Sequence, residues 1–78
     1  MITGKDLQLL RLSSGQSQSQ LAEKLGHGGY DAKVVGAIEN NRRKIGLSML
    51  GDWANACGYN VSISFEKIDL SFGVEKGI

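Results

Sequence analysis

Three consecutive cations, Arg42-Arg43-Lys44, follow directly after a short helical pattern that carries Lys33 and ends on Asn40-Asn41. Side chains of that kind grip phosphate oxygens, and a long amine on the helix reaches hydrogen-bond acceptors on a base edge. Other chemistries fare worse. Serines are plentiful, but no base stands near one in a recognisable pattern, and the acids read as scattered singly along surfaces, so we expect no catalytic centre. His27 and Cys57 are the only histidine and cysteine and do not make a zinc site, so no metal and no cofactor is expected. Gly28-Gly29 lacks any surrounding P-loop or dinucleotide pattern and reads as a turn. The bland reading of the cations is a solvated loop, and their place behind a helix favours the phosphate reading over it.

The elements that must position these residues are short. Thr3 with Asp6 is a capping-box pattern opening a first helix with Leu7, Leu9 and Leu10 on its apolar stripe, stopped at Gly15. Ser17 with Gln20 opens a second, with Leu21, Ala22 and Leu25 inward and Gly26 at its end. Residues 27–30 form a turn. Asp31 caps a third helix that buries Val34, Val35 and Ile38 and exposes Ala32, Lys33, Gly36 and Ala37. Asn40 and Asn41 end it, since Asn tolerates the left-handed conformation. A fourth begins near Gly46 or Leu47, with Leu47, Leu50, Trp53, Ala54 and Cys57 at helical spacing, and ends at Gly58. Trp53 and Cys57 read as core.

The period then changes from 3.6 to 2. Val61, Ile63 and Phe65 alternate with polar residues as a half-buried strand does, and the alternation resumes at Ile68, Leu70, Phe72 and Val74 with its parity flipped. A bulge or a turn near Glu66-Lys67 accounts for the flip. A lone strand leaves backbone groups unpaired, so Val61, Ile63 and Phe65 are candidates for pairing with a second copy across a twofold axis. An intramolecular hairpin with residues 68–74 is the alternative.

Size and charge bound the rest. The 78 residues make one small domain: 1–58 as the helical part, 59–78 as its β extension. A chain this short buries only ~60% of its unfolded surface, so a partner subunit would help it. Residues 1–48 hold seven Lys/Arg against four acids, and residues 49–78 two against four, which puts the basic face in the first half. No run approaches membrane-spanning length and no signal-peptide pattern opens the chain, so no membrane partner and a cytoplasmic location are expected.

Three segments in order carry a resemblance. SQSQLAEKLG, VVGAIENNRR and LSMLGDWANACGYNVSI are similar to the SQxELAxKLG, xIxxIENGRR and LxxLxxLAxALGxxxxI elements of the Cro/C1-type (Xre-like) helix-turn-helix proteins. The similarity runs from Leu7 to Gly58. It implies a mainly α, lambda-repressor-like bundle of about four helices, with a C-terminal strand or two-strand extension that pairs in a dimer. It also implies a regulator of transcription that binds double-stranded DNA, most simply a homodimeric repressor at a palindromic operator. By correspondence, Asp31, Ala32, Lys33, Gly36 and Ala37 are base-edge candidates, and Gln18, Asn41, Arg42, Arg43 and Lys44 are backbone candidates, to which the position of Tyr30 just before the third helix adds that residue. The chain departs from the pattern in three places. The turn before the third helix is about three residues longer than the commonest form, which makes His27 and Tyr30 possible DNA contacts; the exposed face of the third helix is small; and no proline follows the IENNRR segment. The sparse face shifts weight towards readout of DNA shape. A second function class stays open: an antitoxin-type module whose tail, Tyr59 to Ile78, masks a toxin or another protein partner.

Overall fold

The computed structural model describes residues 2–26 and 30–68. Four helices follow one another: α1 (Gly4–Ser13), α2 (Gln18–Leu25), α3 (Ala32–Glu39) and α4 (Leu47–Ala56). Their boundaries follow from local hydrogen bonding. At α1 the Thr3 hydroxyl accepts from Asp6 N while Asp6 Oδ2 accepts from Thr3 N at 2.8 Å; at α2 Ser17 and Gln20 repeat the exchange. The two boxes satisfy amide donors that a helix start otherwise leaves orphaned. Asp31 Oδ1 accepts from Val34 N at 3.0 Å and starts α3.

The exits of α3 and α4 share one geometry. Arg42 N donates to Ala37 O at 2.8 Å and Asn41 N to Ile38 O; Tyr59 N donates to Ala54 O at 2.8 Å and Gly58 N to Asn55 O. Both are Schellman motifs, which need a left-handed residue after the cap. Gly58 supplies it at φ 89° for α4, and Asn41 supplies it at φ 60° for α3. The expected helix stops at Asn41 and Gly58 are therefore present, with their backbone cause.

The core lies where α3 packs on α2 and both meet α1 and α4. Leu7, Leu21, Val35, Ile38 and Trp53 are fully covered, with Ala22, Leu25, Ala54 and Cys57 beside them. Each of the large aliphatic side chains contributes ~1.5–3 kcal/mol by leaving water. Trp53 Nε1 donates to Leu7 O at 3.1 Å, which joins α4 to α1 and satisfies the one polar atom this side chain buries. Gly4 sits so close to the carbonyls of Ile38 and Glu39 that a Cβ there would collide with them. The start of α1 thus lies against the end of α3 with no room for any other residue.

Some sequence expectations need correction. Leu9 is 53% exposed and Leu47 71% exposed. Leu9, two positions from Leu7, lies on the opposite face of α1, and Leu47 stands in the first turn of α4, ahead of the core contact. Val34 is half-buried, packed at the core's margin. Residues 59–68 carry no regular secondary structure, so the strand expected over Val61, Ile63 and Phe65 has no ladder partner among the described residues. Phe65 is 95% exposed. The second alternating stretch and the turn residues His27, Gly28 and Gly29 fall wholly or mostly outside the described residues.

Candidate nucleic-acid interface

The surface around α3 is built from the inside. Glu39, on the last turn of α3, is buried and faces Arg11 of α1. Arg11 Nε donates to Glu39 Oε2 at 2.6 Å and an Arg11 terminal nitrogen to Oε1 at 3.0 Å, a two-point pairing of fork and carboxylate. The other Arg11 nitrogen donates to Gln16 O at 2.8 Å. Hydrogen bonding to Glu39, which outweighs the opposing effect of burial, raises the Arg11 pKa above its ordinary value. Gln18, the first residue of α2, completes the cluster by donating to Glu39 Oε1 at 3.2 Å. Three helices therefore meet on one carboxylate. The expectation that all acids lie on surfaces is corrected here: Glu39 is interior, because Arg11 from a distant part of the chain supplies its counter-charge. Arg11 correspondingly leaves the set of cations free to meet a partner.

That cluster sets the relation of α2 to α3. Gln18 also lies against Gly36, where an added Cβ would come within 3.3 Å of its side-chain nitrogen. Gly36 is accordingly half-buried and faces α2, where the helix period alone put it on the open surface. Ala32 and Ala37 are half-buried too, and Lys33 is the exposed member of the α3 set. Asp31 is exposed and engaged as the α3 cap.

After α3 the chain turns outward. Asn41, Arg42, Arg43 and Lys44 are all exposed. Asn41 Oδ1 accepts from Gly4 N at 2.9 Å, so the residue that makes the left-handed exit also ties it to the first turn of α1. The Arg43 guanidinium lies 5.5 Å from the centroid of the Tyr30 ring. Tyr30 is half-buried and packs against the core. The segment entering α3 is thereby joined to the loop leaving it.

The arrangement offers one long amine on α3, three outward cations behind it, and a rigid polar bracket beneath. Sequence reasoning brought Lys33, Asn41, Arg42, Arg43 and Lys44 to this surface. It missed Arg11, because the pair spans 28 positions and neither residue carries a local signal. Among the described residues no helix is long and apolar enough to cross a membrane, and no group of three or more His, Cys, Asp or Glu gathers to hold a metal. A family model described as helix-turn-helix matches residues 7–63. No curated protein and no solved structure matches the chain.

Proposed function

The chain belongs to the Cro/C1-type (Xre-like) helix-turn-helix family, a family of DNA-binding regulatory domains and not of enzymes, and we propose that it represses transcription as a homodimer seated on a palindromic operator. The observation that carries the reading is the exposed cation loop Arg42-Arg43-Lys44 joined to the entry of α3 through Tyr30. A helix of this kind enters the major groove by its N-terminal end. Lys33 reads guanine O6 or N7, and Ala32 and Ala37 meet thymine methyls. Asp31 lines the same edge, and Gly36 lies behind it against Gln18. Gln18, Asn41 and the three cations lie along the sugar-phosphate rails and fix register, with Tyr30 behind Arg43. Few long side chains reach bases from this helix, so DNA shape carries part of the specificity. Repression then needs only occupancy of the operator against polymerase.

The dimer rests on the tail. Val61, Ile63 and Phe65 stand exposed at alternating positions, at 39%, 59% and 95%. Pairing with the same segment of a second copy buries them and satisfies their backbone, and sets two α3 helices about one DNA turn apart, ~34 Å. A titration of a mixed-sequence duplex pool at two salt concentrations tests the binding: a phosphate-anchored complex weakens steeply as salt rises. Binding that is undetectable or indifferent to salt sinks the reading. Sedimentation of the chain with Phe65→Asp tests the dimer, which should fall to monomer.

The exposed apolar tail also favours a second reading, in which it masks a protein partner such as a toxin while the helical part binds DNA. Removal of residues 67–78 then abolishes the partner complex and leaves the dimer on DNA.

A further inference from the structure

We propose that Tyr30 is a positioning residue that acts on DNA through Arg43: its ring holds the guanidinium ready for a phosphate, so that Arg43 outweighs Arg42 and Lys44 in backbone contact. The proposal rests on the DNA-binding reading above and differs from direct contact by Tyr30. Its basis is geometric. The Arg43 guanidinium lies over the Tyr30 ring at 5.5 Å, within the range of attraction between a cation and an aromatic face. Tyr30 is itself fixed, half-buried against the core, one residue ahead of the α3 cap Asp31. Arg43 is anchored from the other side as well, because Asn41 and Arg42 are locked by the Schellman bonds and by Asn41 Oδ1 accepting from Gly4 N.

Among the described residues Arg42 and Lys44 have no side-chain partner of this kind. A free arginine must surrender its rotamer freedom when it meets a phosphate, whereas Arg43 has surrendered much of it already. The ring attracts without consuming the five N–H donors, which stay available for a bidentate grip on phosphate oxygens. The longer turn before α3 is what ends on this aromatic residue. The additional length therefore gives the loop after α3 a support from the segment before it.

The test measures the full chain on a fluorescein-labelled mixed-sequence duplex across a salt series, with Arg43→Ala, Tyr30→Leu, Tyr30→Phe, Arg42→Ala and the double change of Tyr30 and Arg43. Arg43→Ala should lower the salt slope by about one unit. Tyr30→Leu should weaken binding about two- to fivefold at full Arg43 charge, Tyr30→Phe should leave it unchanged, and the double variant should bind no worse than Arg43→Ala alone. Arg42→Ala should cost less than Arg43→Ala. Multiplicative losses in the double variant, or loss of affinity in Tyr30→Phe, overturn the proposal. Should Tyr30→Leu fail to fold, the side-chain protons of Arg43 in the unaltered chain decide: ring shielding moves them upfield of those of Arg42, and equal shifts overturn the pairing. A chain that binds no duplex overturns the DNA reading and the phosphate role together, while upfield Arg43 protons in that chain locate the failure in the reading and not in the pairing.

Discussion

Two sets of charges flank α3, and they are treated in opposite ways. Arg11 and Glu39 are enclosed, each satisfied by the other and by Gln16 or Gln18. Arg42, Arg43 and Lys44, a few residues onward, stand in solvent. The inner pair shares its charge with nothing outside the chain and fixes where α1, α2 and α3 sit. The outer set has no buried counter-charge; Arg43 leans on the Tyr30 ring, and the charges of all three face solvent. The contrast teaches that the inner pair leaves the net charge of the first half unaltered, because Arg11 and Glu39 cancel, so the excess of positive charge belongs to the outer residues. It also predicts a separation: loss of an inner residue should unfold the domain, and loss of an outer one should, on the proposed DNA-binding reading, weaken only its binding.

The largest test of that separation is Glu39→Ala. It strands a buried guanidinium and should destabilise the fold by ~3–5 kcal/mol, a large part of the total for a domain this small. Replacing Arg11 by Met and Glu39 by Leu together should restore most of that loss in a denaturant melt. If Glu39→Ala melts like the unaltered chain, the inner pair is not the bracket described. Lys33→Ala comes next: its fold should survive while discrimination at one base position falls by ~1–3 kcal/mol, read by selection from random duplexes. A uniform loss across all sequences would move Lys33 into the phosphate set.

Asn41→Gly probes the seam between the two sets. Glycine keeps the left-handed exit and removes only the bond to Gly4 N, so stability should fall by ~1 kcal/mol or less. The smallest effect lies at Asp6. Hydrogen bonds from the Thr3 backbone and hydroxyl hold its carboxyl below the ordinary value of 3.8. A depressed folded-state pKa adds stability above the unfolded value, and that addition is lost as pH falls through the folded one. The gap between the melts of the unaltered chain and Asp6→Asn should therefore be flat near neutrality and close below about pH 4.

What could be read from the sequence follows the range of the interactions. The capping boxes at Thr3/Asp6 and Ser17/Gln20, the Asp31 cap and the exits at Asn41 and Gly58 are all local. Their partners lie within about a turn of helix, so residue types and spacing suffice. Leu9 lies two positions from Leu7, which turns it away from the stripe that Leu7 shares with Leu10, and it is exposed. Gly36 joins the covered face because Gln18 arrives from α2. The cation loop was legible because exposed charge behind a helix needs no partner to be recognised. The Arg11–Glu39 pairing and the Tyr30–Arg43 stack were not, since each depends on chain segments brought together by folding.

The sole tryptophan has a practical corollary. Trp53 is wholly covered and its indole N–H is bound to the α1 backbone at Leu7. Its emission is then a private gauge of whether α1 and α4 remain docked. Ligands landing on the far cations should leave the spectrum quiet, whereas loosening of the interior should shift it to the red. One optical channel would thus distinguish a weakened grip from a broken frame without any label.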